Sequence, residues 1–157
     1  MTPLDRIEKR LQAAGLECKR IILAGGQYGD GTEADHVQRA PAVLASVNAR
    51  TMDNPYQLRK ILDDAHKIGK QYRKTVAYTY SNSAWFSFRF TFAAIDDMNR
   101  IQAAQAEADI FLAAYWKYQH EHGTGDKISQ DATPAAIAAG KKALAEYRAA
   151  REEARTA

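Results

Sequence analysis

A strictly alternating segment from Trp85 to Phe92 constrains the fold more than any other part of the chain. Aromatic residues occupy every second position: Phe86, Phe88, Phe90 and Phe92. The positions between them are Trp85, Ser87, Arg89 and Thr91. Because successive side chains of a β-strand point to opposite faces of a sheet, this pattern predicts a strand with a buried phenylalanine face and a solvent-exposed face. A partner strand is predicted at residues 75–80, with a turn at residues 81–84 between the two.

Four helices are predicted from their caps and their hydrophobic spacing. The first begins at Thr2-Pro3 and ends at Gly15, and the second begins at Asn54-Pro55. The third runs from about residue 95 to about residue 120, and the fourth begins at Thr133-Pro134. A proline at the first helical position and apolar residues three or four apart are typical of helices. We expect the third helix, which follows the hairpin directly, to cover the phenylalanine face.

Two further strands are predicted at residues 16–23 and 41–47. The resulting order of elements predicts an α+β fold: a small, mainly antiparallel sheet with helices packed on one face, plus a C-terminal helical extension. We divide the chain into an α+β core domain (residues 1–122), a polar linker (residues 123–132) and the C-terminal helix (residues 133–157).

The net charge of +3 is too small to indicate a nucleic-acid-binding protein by itself. Its distribution is uneven, because residues 56–74 are basic and residues 93–123 are acidic. Solvated helix faces account for most segments of this kind. Complementary segments also allow copies of one chain to pack head to tail.

No group of residues has the spacing of a catalytic or metal site, so we predict no enzyme activity, no catalytic residues, no cofactor and no metal. The glycines at positions 25–31 match no phosphate-binding motif and are expected to form a flexible surface loop. His120 and His122 lack the further ligands that zinc needs. Cys18, the only cysteine, lies beside Lys19 and Arg20, which could lower its pKa, but a small core residue is the better interpretation.

The other titratable pairs and the apolar segments suggest no special site. His36 with Asp35, and His66 with Asp63, are expected to be solvated pairs. We also expect no membrane association, since no apolar run approaches the roughly 18 residues of a membrane span and the N-terminus lacks the apolar core of a signal peptide.

Seven residues are candidates for contacts with other molecules: Arg59, Lys70, Arg73, Lys74, Trp85, Arg89 and Trp116. One hypothesis is a nucleic-acid surface. In it, Trp85 and Arg89 on the exposed face of the hairpin, with the neighbouring Tyr78 and Tyr80, stack on bases. The basic residues just before the hairpin then contact phosphates. Trp116 on the third helix is either a core residue or part of a subunit contact.

Three segments carry a resemblance to a known family. They are the N-terminal amphipathic helix with its following strand and polar loop, the strand Arg39-Ala40-Pro41-Ala42-Val43-Leu44-Ala45-Ser46-Val47, and the tryptophan-led strand at residues 83–92 that leads into a helix. In this pattern the chain resembles tail terminator and tail-completion (neck) proteins of long-tailed, lambda-like phages. The match is of pattern rather than of residues. The basic helix at residues 56–74 and the C-terminal helix depart from it.

The resemblance implies a structural virion protein that forms a homo-oligomeric ring, terminates the tail tube and joins it to the head connector. Its partners would be other copies of itself, tail-tube proteins and head-connector proteins. It would be found in the virion, and in the host cytoplasm during assembly. The alternative is a nucleic-acid-binding accessory protein that uses the aromatic hairpin and the basic helix. Nucleic acid is a partner only in that alternative.

Overall fold

The computed structural model describes residues 1–27, 37–83, 86–122 and 133–156. The helices are α1 (Pro3–Ala13), α2 (Pro55–Gln71), α3 (Ile95–His122) and α4 (Thr133–Thr156). The strands are β1 (Glu17–Gly25), β2 (Gln38–Asn48), β3 (Val76–Ser83) and β4 (Ser87–Ala94). The chain packs as two compact units: a sheet unit of residues 1–23 and 39–99, and a helix unit of residues 24–38 and 100–157.

The starts of α1 and α2 are fixed by side-chain caps, as predicted. The Thr2 hydroxyl accepts a hydrogen bond from the Asp5 backbone N–H at 3.2 Å, and the Asp5 carboxylate accepts one from the Thr2 N–H at 2.9 Å. This reciprocal pair satisfies two donors at the helix N-terminus. The Asn54 side chain accepts from the Tyr56 N–H at 2.9 Å in the same way.

The sheet has the strand order β1-β2-β4-β3 and is antiparallel throughout. Val43 of β2 pairs with Phe92 of β4, and Val76 of β3 pairs with Ala94. The α+β fold class and the C-terminal helix are therefore confirmed. The hairpin turn is not where the sequence predicted it, because β3 continues to Ser83, which pairs with Ser87. Ala84 and Trp85 lie outside the described residues.

The main core of the sheet unit lies between the sheet and the helices α1 and α2. Phe90 and Phe92 are fully buried there. They belong to one apolar cluster with residues of α1, α2 and β2: Ile7, Leu11, Val43, Ile61, Ala65 and Ile68. The phenylalanine face is thus covered by α1 and α2, and the prediction that α3 covers it was wrong. α3 begins directly after β4, and its Met98 packs with Ala42 and Ala93, which point to the other side of the sheet.

Phe86 was also wrongly predicted to be part of the core face. It lies before the first residue of β4 and is 41% exposed. The Arg50 guanidinium lies over its ring, 3.8 Å from the ring centre. Since β4 begins only at Ser87, the buried face of the strand starts at Phe88.

The helix unit is built on α3 and α4, which run antiparallel. Glu107 of α3 contacts Arg148 of α4, and Gln119 near the other end of α3 donates to the Thr133 hydroxyl at 3.2 Å. Between these contacts Phe111 is buried in a small cluster with Ala108, Tyr115, Ala136 and Leu144. The linker predicted at residues 123–132 lies outside the described residues, and the predicted domain boundaries stay a prediction. None of the described helices has the length and apolarity needed for a membrane span.

Candidate interaction surface

Six basic side chains lie on α2 or directly after it, and all are exposed. α2 turns Ile61, Ala65 and Ile68 toward the core, which leaves its opposite side in solvent. Arg59 and Lys70 are 11 residues apart, about three helical turns, so they lie on the same side of the helix. We call the six residues the cation row: Arg59, Lys60, Lys67, Lys70, Arg73 and Lys74.

The cation row has no salt bridge within the described part of the chain. Other arginines of the protein do have such partners. Arg20 binds the carboxylates of Asp5 and Glu8 on α1, and Arg148 binds Glu107 through two hydrogen bonds of 3.0 and 3.2 Å. No described side chain therefore forms a salt bridge with the positive charges of the row. Such a surface attracts an acidic or polyanionic partner.

Arg89 lies on the other side of the sheet from the cation row. Its neighbours in β4, Phe88 and Phe90, point toward the side that α2 covers. Side chains alternate along a strand, so Arg89 points away from α2. It is exposed and lies opposite Ser46 of β2 and Ser81 of β3. The predicted combination of Arg89 with the basic helix in one surface is not what the fold produces.

Tyr78 and Tyr80 were predicted to share the exposed face with Arg89, and this was wrong. Both lie on the phenylalanine face: Tyr78 stacks on Phe92 with ring centres 5.4 Å apart, and the ring centre of Tyr80 is 4.9 Å from that of Phe90. Partial burial raises the pKa of the Tyr80 hydroxyl above its usual value. The hairpin therefore has no pair of tyrosines ready to stack on bases.

Tyr78 and Tyr80 lie on the face opposite to the predicted one because the hairpin has a different register. A turn at residues 81–84 would have placed Tyr80 opposite Trp85, on the exposed face. In the structure Tyr80 pairs with Phe90, five positions further along. A shift by an odd number of residues moves every side chain of a strand to the opposite face.

His66 was predicted to be a solvated partner of Asp63 but is part of the aromatic cluster. Its Nδ1 atom lies 2.9 Å from the Tyr78 hydroxyl. Its ring also packs edge-on against Phe90, with ring centres 5.0 Å apart. The sequence offers one signal, since His66 lies four residues after Leu62 and three before Gly69, both on the same side of α2 as His66.

Of the two tryptophans in the predicted interface, the structure describes Trp116. Trp85 lies outside the described residues. Trp116 is on α3 in the helix unit, where it is 49% exposed and meets the Tyr115 ring edge-on at 5.1 Å. Trp116 is therefore a half-exposed aromatic side chain, available for contact with another molecule.

The beginning of the glycine-rich segment is packed rather than loose, contrary to expectation. A Cβ atom at Gly25 would lie 2.8 Å from the Ile101 side chain, so this position needs glycine. Gly26 has a positive φ of 88°, and its N–H donates to the Gln105 side chain at 3.2 Å. Residues 28–36, which hold the rest of the predicted loop and the pair His36 and Asp35, lie outside the described residues.

The remaining candidate sites show no arrangement for catalysis or metal binding. Cys18 packs against the core of the sheet unit, and burial, together with the Glu8 carboxylate, raises its pKa to about 11. Arg20 does not oppose this, since it is engaged by α1. His122 stacks on Tyr118 with ring centres 4.3 Å apart. The described residues contain no group of three or more potential metal ligands.

Two depressions of about 310 Å³ each lie on the sheet unit. One is lined by Arg10, Asp64 and Lys67 among others. The other lies near the ends of β2 and α1 and is lined by polar residues that include Glu17, Asn48 and Ser87. Their described lining residues include the hydroxyl groups of Ser46, Thr51 and Ser87 but no histidine or cysteine.

The two outer edges of the sheet are surfaces that were not predicted from the sequence. β1 and β3 are the outer strands, and each pairs with only one neighbour in the described sheet. Ile22 of β1 is 65% exposed and Tyr80 of β3 is 42% exposed. The sequence shows that Ile22 shares a face with Cys18 and Arg20. It does not show that α1 covers only part of this face.

Comparison with known proteins identifies no relative. No protein-family model matches the chain, and no curated protein or solved structure shows significant similarity to it.

Proposed function

We propose that this chain is a structural protein of a phage tail or neck, and that its copies form a ring that terminates the tail tube and joins it to the head connector. The observation that supports the proposal best is the cation row. It places six exposed positive charges on α2 and in the turn after it, with no salt bridge to the described residues. A protein that acts by binding other proteins needs charged side chains that are available to a partner.

A second line of support comes from the kinds of surface that the protein offers. The sheet unit carries the cation row and two edges that have no further partner strand in the described sheet, and the helix unit carries a half-exposed tryptophan. These are chemically different surfaces. A ring requires two different patches on each subunit, because its contacts are heterologous. The resemblance in sequence pattern suggests a ring at the end of a phage tail, and these surfaces are compatible with such a ring.

The test is assembly on tail tubes made without this protein. Purified protein is added to the tubes, and electron microscopy then measures whether the tubes end in a ring and stop growing. We expect wild type to terminate the tubes. Lys70→Glu combined with Arg73→Glu should remove most of this activity, because both changes reverse charge in the cation row.

The matched control is Lys142→Glu, which makes the same change at an exposed lysine of α4 outside the row. It should behave as wild type. Tubes that grow without limit in the presence of folded wild-type protein would contradict the proposed function. Equal activity of the control and the double variant would remove the cation row as its support.

The same cation row also favours the second candidate, a nucleic-acid-binding accessory protein. Six lysines and arginines that form no salt bridge with the described residues are suited to contact phosphates. The aromatic half of that hypothesis is weaker, because Tyr78 and Tyr80 lie on the phenylalanine face and not beside Arg89. An oligonucleotide titration tests it. Binding that weakens steeply with salt, and weakens further in Arg73→Ala, would support this candidate.

A further inference from the structure

The two outer strands of the sheet run in opposite directions. β1 is antiparallel to β2, β2 to β4, and β4 to β3, so three reversals separate β1 from β3. Their lengths are similar, with 9 residues in β1 and 8 in β3. Consider a second copy that continues the sheet so that the helix-covered faces of both copies lie on the same side. Its β1 would then lie alongside β3 of the first copy in antiparallel orientation, the more stable form of pairing.

The side chains at these edges are unusual for strands that stay unpaired. Outer strands of soluble proteins generally avoid exposed apolar residues, since these invite association. Here Arg20 is held by Asp5 and Glu8 of α1, but Ile22, the next residue on the same face, extends beyond the helix and is 65% exposed. Nothing in the described residues of the sheet unit covers it.

The edge of β3 offers a matching apolar surface. The Tyr80 ring packs on Phe88 and Phe90 on its inner side and is 42% exposed on its outer side. Tyr80 and Ile22 lie on the same face of the sheet, the one that α1 and α2 cover in part. When the sheet continues into a second copy, both side chains lie on that one face of the joined sheet.

We propose that the subunits join by continuing the sheet, with β3 of one copy paired antiparallel to β1 of the next. This inference rests on the proposed ring function and specifies its subunit contact. The two edges differ, so the contact is heterologous and a series of copies closes only by rotation into a ring. The occupant of each edge is thus a second copy of this chain.

The first experiment adds a charge to each edge. Ile22→Lys and Thr79→Lys place lysine on β1 and β3 at exposed positions, and lysine at an edge opposes strand pairing. Light scattering in the presence and absence of tail tubes then measures assembly. We expect the dissociation constant of the subunit contact to rise about tenfold to a hundredfold in Ile22→Lys, the equilibrium effect of exposing one buried isoleucine.

The control is Tyr56→Lys, which removes a more exposed aromatic residue from α2, away from both edges. It should assemble as wild type does. Wild type that assembles, together with edge variants that assemble equally well, would overturn edge pairing and leave the ring proposal intact. Wild type that stays at 17.5 kDa even with tail tubes present would overturn both.

The second experiment tests the direction of the contact. In a Cys18→Ala background, Ile22→Cys protein is mixed with Tyr80→Cys protein and treated with a short bis-maleimide cross-linker. Edge pairing predicts covalent dimers in the mixture and little cross-linking of either protein alone. Dimers formed by Ile22→Cys alone would mean that β1 meets β1, which overturns the proposal.

A second pair guards against misfolding of the Tyr80 variant. Lys19→Cys and Thr79→Cys lie on the opposite face of the same two strands, and both positions are exposed. This pair should give the same result as the first. Absence of dimers with both pairs, in protein that assembles, would also exclude edge pairing.

Discussion

The sheet unit and the helix unit bury aromatic rings in different ways. In the sheet unit Phe90 and Phe92 lie under two helices and touch residues from several strands. In the helix unit Phe111 lies in a cluster built from one helix pair, in which the apolar side chains of Leu112, Ile137 and Tyr147 are only partly buried. A core enclosed on many sides cannot relax when a side chain is removed, whereas a contact between two helices can partly close.

Both units nevertheless use a glycine to bring a helix close to a ring. A Cβ atom at Gly69 of α2 would lie 2.3 Å from the Tyr78 ring, and one at Gly140 of α4 would lie 2.7 Å from the Phe111 ring. The Tyr78 ring contacts His66 and Phe92, and the Phe111 ring stacks on Tyr115. The two approach distances differ by 0.4 Å. Substitutions can therefore show whether the two units differ in rigidity.

The largest effect is expected from Phe90→Ala. Removing this buried ring should lower the free energy of unfolding by about 3 to 5 kcal/mol, because it leaves a cavity that α1, α2 and the sheet cannot fill. Urea unfolding followed by circular dichroism measures it. The control is Phe86→Ala, the same exchange at an exposed position, which should cost less than about 1 kcal/mol. Similar losses from both would contradict the packing of this core.

Matched leucine substitutions compare the two units directly. Leu11→Ala in the sheet unit should cost about 3 to 5 kcal/mol, since Leu11 is fully buried. Leu144→Ala in the helix unit should cost about 2 kcal/mol, because its partly exposed neighbours can move into the space. Hydrogen exchange of α1 and of α4 gives the local effect of each change. An equal or larger loss in α4 would mean that the helix unit is the more tightly packed of the two.

The two glycines should respond differently to alanine. Gly69→Ala should destabilise by about 1 to 3 kcal/mol, since the Tyr78 ring is held from two sides. Gly140→Ala should destabilise less than Gly69→Ala, because its Cβ atom would approach the Phe111 ring to 2.7 Å rather than 2.3 Å. Thermal unfolding of the two variants measures this. A loss at Gly140 as large as that at Gly69 would show that Phe111 is also held in place.

The smallest effect concerns the Cys18 thiol, which reports on the sheet unit alone. Its raised pKa means that the folded protein keeps the thiol protonated where the unfolded chain ionises. The stability this provides is fully present below pH 9 and is lost as the pH rises toward about 11. Labelling by a thiol reagent at pH 8 should be slow in the folded protein and fast in urea. Rapid labelling of folded protein would contradict the burial of Cys18.

Local chemistry was enough to predict where helices begin, but not which face they cover. The Thr2-Pro3 and Asn54-Pro55 starts depend on a few neighbouring residues, and both were predicted correctly. The cover of the phenylalanine face depends on α1 and α2, which are distant in sequence from β4. The face of Tyr80 depended on the register of one turn, which the pattern Ser81-Asn82-Ser83-Ala84 did not reveal.

For the candidate surface, too, some properties could be predicted from neighbouring residues, whereas others depend on the tertiary fold. The basic character of residues 56–74 was visible in the sequence. Whether these cations have partners depends on where every carboxylate of the fold lies. The exposure of Ile22 depends on the length of α1 relative to β1. Neither property can be derived from spacing alone.

The placement of α1 and α2 on one face of the sheet has a consequence for any assembly that continues this sheet. Each copy would present its cation row on the same side, and Lys19, Thr79 and Arg89 on the other. The two sides of such an assembly would differ, since α1 and α2 pack on one of them while the start of α3 packs against Ala42 and Ala93 on the other. An assembly with two different sides can bind between two unlike partners in only one orientation. No additional contact is needed to fix that orientation.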